Sequence, residues 1–293
     1  MSASNDSGRL NEPGPTRAPL LSVADVSVRF AGVKALSDVS FQVRPGELFA
    51  VIGPNGAGKT SLFNVISRVY QPVAGSVTYN GRDLLRLKTY QVARVGIART
   101  FQNLGQFPTT TVMDYLLLGR HTRMRSGILL GGLYFIHTRA EEQRNRAHCM
   151  HLLDLIGLKD VSNYPLGSLP YGLQKRADIA RALALEPKLL LLDEPVAGMG
   201  LEETEDIAAV ILDIKEQLGV TQILVEHDMA LVMGVADRVL VLDFGRAIAQ
   251  GTPAEVQANP DVIKAYLGEE FGGAAAALST PNEHGRPGPG MSS

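Results

Sequence analysis

One cysteine, Cys149, is all that the 293 residues contain. An internal disulfide framework is therefore excluded, and the chain suits a reducing compartment. No apolar run approaches the roughly 20 residues that a membrane-spanning helix needs; the longest candidate, GILLGGLYFI from Gly127 to Ile136, stops far short. Residues 1–19 lack the apolar stretch of a secretory signal. Charge of either sign is not in excess: 28 Lys and Arg stand against 30 Asp and Glu, a formal net charge of −2. A chain whose main partner is nucleic acid carries a basic footprint, so no nucleic-acid partner is expected. Internal repeats are absent too. Both ends, 1–19 and 271–293, have too little apolar mass to offset ordering entropy and are expected to form a disordered leader and tail.

Between those ends the chain reads as an α/β protein. LLSVADVSVRF and ALSDVSFQVRPGE are strand-like, the second closing on a Pro-Gly turn, and Asn80-Gly81 in SVTYNGRDL marks a tight hairpin. LFAVIG is a short, wholly apolar run of the kind a central parallel strand shows when both faces are covered; a helix is predicted to follow at KTSLFNVISRV. KLLLLDEP, EETEDIAAVILDIKEQLG and TQILVEH repeat the order strand, helix, strand, with Ile207, Ile211, Ile214 and Leu218 on one helix face and Gly219 as its stop. RVLVLD and RAIAQ form a last strand pair around Phe244-Gly245. The domain reading is an α/β core over 20–92 and 183–270, interrupted by a mainly helical insertion over 93–182.

GPNGAGKT, Gly53 to Thr60, fits the pattern G-x-x-x-x-G-K-[ST] between a predicted strand and a predicted helix, the context a P-loop requires. Gly53, Gly56 and Gly58 permit backbone conformations in which successive N–H groups of the loop, Asn55 and Ala57 among them, face one phosphate chain, while Pro54, which has no N–H, lies in the same loop. Lys59 supplies charge to the β- and γ-phosphates of ATP, and the Thr60 hydroxyl is placed to ligate Mg2+. LLLLDE, Leu189 to Glu194, drives four leucines into the core and ends on adjacent acids. A P-loop explains them: Asp193 holds Mg2+, and Glu194 orients the water that attacks the γ-phosphate. AHCMH brings His148, Cys149 and His151 together, but no complementary ligand cluster accompanies them and a metal is not read there. The run from Arg120 to Arg125 is either a solvated charged face or a contact to lipid or to a membrane partner.

LPYGLQKRADIARALALEP between these motifs, with LVEHD after them, resembles the nucleotide-binding subunit of an ABC transporter over nearly all of Leu20 to Gly268. The resemblance implies a P-loop NTPase (RecA-like) core of mostly parallel sheet, an antiparallel β subdomain and an inserted helical subdomain. It implies that Pro170, Tyr171, Gly172 and Leu173, in place of the usual signature loop, cap the γ-phosphate held by a second ATP-binding subunit. It makes His227 the switch histidine, Gln102 a Q-loop glutamine that reaches Mg2+ and the attacking water, Phe30 the aromatic that stacks on adenine, and Ser61 a contact of the α-phosphate. Where the family usually has an Asp after the acidic pair, VAGMG places Gly200.

RTFQNLGQFPTTTVMDYLLLGRH, the Tyr-Gly signature and the ending VIKAYLG are similar to the subfamily that serves branched-chain amino-acid importers. The function implied is ATP hydrolysis that drives solute import. The site would lie on the cytoplasmic face of the plasma (inner) membrane, in a peripheral subunit paired with two permease subunits and, through them, an extracytoplasmic solute-binding protein. Urea, amides and carboxylated solutes remain alternative cargoes. A soluble ABC-type ATPase is the alternative of another class; a single cassette and a net charge of −2 count against it.

Overall fold

Alternating apolar and polar residues in LSVADVSVRF and VKALSDVSFQV make two long strands, β1 (Leu21–Phe30) and β2 (Val33–Val43), paired antiparallel. The computed structural model describes residues 18–30, 32–101, 107–121 and 134–266. On its other edge β1 pairs with β4 (Ala74–Tyr79), which turns through Asn80 and Gly81 into β5 (Arg82–Asp83). Both turn residues have positive φ, 47° and 74°, the geometry that an Asn-Gly hairpin favours. These four strands are the antiparallel subdomain, in the order β2-β1-β4-β5.

The larger sheet contains β3 (Leu48–Ile52), β6 (Ile97–Arg99), β7 (Leu189–Asp193), β8 (Thr221–Val225), β9 (Arg238–Asp243) and β10 (Arg246–Gly251). Its order is β10-β9-β3-β8-β7-β6, parallel throughout except for the closing β9–β10 pair. Helices α1 (Lys59–Ile66) and α2 (Thr89–Arg94) follow β3 and precede β6. An inserted group holds α3 (Val112–Arg120), α4 (Tyr134–Leu155) and α5 (Tyr171–Leu183), with α3 packed on both others. The chain then returns through α6 (Leu201–Leu218), α7 (Met229–Val235) and α8 (Pro253–Gln257). Among the described residues no helix is long and apolar enough to cross a membrane.

Both faces of the central strands β3 and β7 are covered, which is why their sequences read as unbroken apolar runs. Leu48, Ala50, Ile52, Leu190, Leu192 and Leu224 face the inserted helices and α6. The alternate residues Phe49, Val51, Leu189, Leu191, Ile223 and Val225 face α1 and the antiparallel sheet. In α6 the predicted face holds at Ile207, Ile211 and Ile214, all buried, while Leu218 at the helix end is 37% exposed. Gly219 ends α6 in the left-handed conformation, φ 62°.

The structure places a strand where the insertion was expected to be helical. Residues Ile97–Arg99, inside the range read as helical insertion, are strand β6 and pair with Leu189–Leu191 of β7; three residues are too few to show a period. α5 begins at Tyr171, directly after Pro170, its extended N-cap. Cys149 is buried in the core, which pushes its thiol up to about 11, and His148 Nε2 lies 3.7 Å from Glu186 Oε1. Arg120 donates to Asn145 Oδ1 at 2.7 Å and to Glu186 Oε1 at 2.8 Å, so it ties α3 to α4 and to the turn before β7. Residues 122–125 of the same basic run lie outside the described residues.

Candidate nucleotide site

Register places the site. Val51, Val225 and Asp193 stand in one row across β3, β8 and β7, so the segments that follow these strands leave the sheet at the same edge. Those segments are Gly53–Gly58, Glu226–Asp228 and Glu194 onward. In open α/β sheets this carboxyl edge is where ligands bind.

The Gly53–Gly58 loop is held from behind. Gly245 N–H donates to Ala57 O at 2.9 Å, and Ser37 N–H donates to Gly245 O at 2.8 Å. Gly53 has φ 149°, and a Cβ there would stand 2.1 Å from Leu242 O; Gly58 has φ 103°, and its Cβ would stand 2.6 Å from Ala35 O. Backbone atoms on β9 and β2 thus impose glycine at both positions, whatever the loop binds. Gly56, φ 80°, has nothing within 4 Å and is required by conformation alone. Gly53→Ala is expected to cost about 2 kcal/mol or more of folding stability, because a backbone overlap has no rotamer that relieves it. Gly56→Ala should cost only about 1 kcal/mol. Urea unfolding of the two variants tests this, and equal losses would contradict the close approach.

Lys59 opens α1 and is buried, its Nζ donating to Gly53 O at 2.5 Å and Pro54 O at 3.0 Å. Asn55, Gly56 and Thr60 are exposed on the outer side of the loop, and Ser61 is half-buried. At the end of β7, Asp193 is 1% exposed. Its Oδ2 accepts from Arg99 NH2 at 2.5 Å and its backbone N–H donates to Thr100 Oγ1 at 3.1 Å. Its Oδ1 is buried without a hydrogen-bond partner. An ionised carboxylate oxygen left bare in the interior is costly, so this donor set suits a cation or its water.

Glu194 adopts φ 47°, unusual for a residue with a Cβ. Its N–H donates to Val225 O at 2.9 Å, which fixes the turn at the end of β7. His227 presents an imidazole 61% exposed, with Nδ1 3.6 Å from Glu226 Oε2. Phe30 closes β1 with 42% exposure and meets Tyr70 edge-on at 4.8 Å, so it is not a core residue. Gln102 lies outside the described residues.

The segment 169–173 is held by other elements. Leu169 O accepts from Gln174 Nε2 at 2.8 Å. Pro170 and Tyr171 are exposed, Leu173 is half-buried against the core, and Gly172 is buried. A Cβ on Gly172 would lie 2.9 Å from Glu203 Oε1 of α6. One turn along α5, Lys175 Nζ reaches Glu194 O at 3.4 Å.

Two residues escaped the sequence reading. Glu226, fully buried, accepts from Val196 N–H and His227 N–H, both at 3.0 Å, and so joins the segment after Glu194 to the one carrying His227. Burial pushes its carboxyl above the ordinary range, against the pull of those N–H groups. The second is Arg99. An acid or a base inside an apolar strand end was the available signal for both.

A parallel sheet with a glycine-rich loop running from its central strand into a helix, and a buried carboxylate closing a nearby strand, defines a P-loop nucleotide-binding protein. The chain belongs to the ABC transporter family, which matches residues 36–197. A second family, described as branched-chain amino acid ATP-binding cassette transporter, matches residues 248–272. The high-affinity branched-chain amino acid transport ATP-binding protein BraF of Pseudomonas aeruginosa is 39% identical over 251 residues, covering 86% of this chain and 98% of BraF. LivG of Escherichia coli K12, described in the same words, matches at 39% with the same coverage. Among solved structures, the ADP conformation of an ATP-binding cassette of an ABC transporter is similar with a TM-score of 0.76 at 28% identity, over 86% of this chain and 99% of that one. The expected family and α/β fold are borne out, and the cassette is an ATPase.

Proposed function

We propose that the chain is the ATP-hydrolysing subunit of an importer for branched-chain amino acids or a similar small polar solute. The observation that supports this most strongly is the 39% identity spanning 98% of BraF. In this reading the triphosphate lies along the N–H groups of Gly53–Gly58, with Lys59 between the β- and γ-phosphates, Ser61 near the α-phosphate and the adenine on Phe30. Thr60 and Asp193 Oδ1 would hold Mg2+, with Gln102 as a third ligand, and the ion when bound neutralises charge on the β- and γ-phosphates. Glu194 accepts a hydrogen bond from the attacking water and aligns it with the γ-phosphorus; His227, exposed at the same edge, steadies that water and the departing phosphate. Water adds to phosphorus as its proton passes to the Glu194 carboxylate, the bond to the β–γ bridging oxygen breaks, and ADP and phosphate leave.

A second cassette supplies Pro170–Leu173 across the γ-phosphate, so ATP joins two subunits and product release separates them. Exposed Pro170 and Tyr171 are the contact points in that arrangement, and buried Gly172 shapes the turn beneath them. Two permease subunits, served by an extracytoplasmic solute-binding protein, would receive the motion on the cytoplasmic face of the membrane. An apolar groove of about 470 Å³, lined among others by Val69, Val92, Phe101, Leu118 and Leu185, suits a permease segment. Affinity purification of the tagged chain from membrane extract tests the reading. Permeases and a solute receptor that binds a branched-chain amino acid should co-purify. A chain wholly soluble after mild extraction, with no membrane neighbour, would indicate the soluble class of ATPase instead.

A further inference from the structure

Arg99 ends β6 at the mouth of the site. It pairs in register with Leu191, two residues before Asp193, so its side chain projects on the same face of the sheet as the Asp193 carboxylate. NH2 of the guanidinium donates to Asp193 Oδ2 at 2.5 Å. NH1 donates to Asn64 Oδ1 at 2.8 Å and to Ser67 Oγ at 3.4 Å. The guanidinium carbon also lies 5.6 Å from the centre of the Phe63 ring. Asn64 in α1 and Ser67, the C-cap of that helix, are four and seven residues beyond Thr60 and lie on the same side of it. One planar group therefore spans from the helix that carries Thr60 to the strand that carries Asp193.

We propose that Arg99 is a positioning residue which, by bridging α1 and β7, fixes the Asp193 carboxylate and the Thr60 hydroxyl at the separation one divalent cation needs. A carboxylate at a strand end is free to rotate about its last bond. With Oδ2 committed to Arg99, Oδ1 keeps a single orientation. The guanidinium is in turn fixed by Asn64, Ser67 and the Phe63 ring, and Arg99 O accepts from Arg181 NH2 at 3.0 Å. The requirement is for a fork and not for charge alone, because a lysine ammonium at this place reaches Asp193 or Asn64 but does not hold both in one plane. The proposal rests on the reading of Asp193 and Thr60 as cation ligands.

The test measures ATP binding in chains that also carry Glu194→Gln, so that nucleotide is not consumed, once with Mg2+ and once in EDTA. The Mg2+-dependent gain in affinity should shrink about 10- to 100-fold on Arg99→Met, as expected for loss of a residue that orients a metal ligand. Binding in EDTA, carried by the loop and Lys59, should change less than about twofold. Arg99→Lys should leave most of that loss in place. An unchanged Mg2+ gain in Arg99→Met, an equal loss in EDTA, or full recovery with lysine would each overturn the proposal. A Glu194→Gln chain with native Arg99 that takes up no ATP in either condition would instead remove the nucleotide reading itself, and this proposal with it.

Discussion

Lys59→Met is expected to weaken ATP binding on the order of 100-fold, the largest effect of any single change on affinity. The ammonium is buried and tethered to Gly53 O and Pro54 O. It is thus held at the Gly53–Gly58 loop, where the proposed function lays the triphosphate, without a further search through rotamers. Methionine has nearly the same length and apolar stem but donates no hydrogen bond and carries no charge. The loop would lose its internal tether and the phosphates their nearest cation at once. Two to five kcal/mol is the usual loss when one partner of a buried charge pair is removed, which brackets the expected change. Calorimetric titration with ATP measures it, and wild-type affinity would mean that the phosphates lie elsewhere.

Glu194→Gln is expected to lower ATP turnover by about 10²- to 10⁴-fold, the range general acid–base groups supply, while leaving ATP bound. The left-handed backbone at Glu194, held by the 2.9 Å bond from its N–H to Val225 O, ends the β7 row at Asp193. Two adjacent acids therefore differ in setting, Asp193 buried and Glu194 half-buried, and in the proposed function only Glu194 meets the attacking water. Glutamine fits the same turn and keeps a hydrogen-bonding group, but it does not draw a proton from water. Phosphate release, measured beside ATP retention, separates this outcome from a folding defect. Turnover near wild type would remove Glu194 from the chemistry.

What the sequence discloses and what it conceals differ in range. GPNGAGKT was legible because its chemistry is local: eight consecutive residues hold the glycines, the lysine and the hydroxyl. LLLLDE was legible once a P-loop stood in the same chain, and the register of β3, β8 and β7 then places Asp193 in the row beside Val51. Arg99 was not, because its meaning comes from a bond to Asp193, 94 residues away, and from a strand of three residues. Glu226 was hidden likewise: it looks like one more acid before His227 until burial and its bond from Val196 N–H show that it joins two segments. Gly172 invites a reading as an open backbone surface, yet the side chain of Glu203 covers it. Its environment is set by α6, a helix that begins 29 residues later.

The site as a whole is tested most directly by a crystal structure of the Glu194→Gln chain with ATP and Mg2+. The triphosphate should lie along Gly53–Thr60, with the cation within ligand distance of the Thr60 hydroxyl and Asp193 Oδ1, directly or through one water. A nucleotide bound at any other edge of the sheet, or an Asp193 Oδ1 still without a partner while ATP and the cation occupy the loop, would contradict the account.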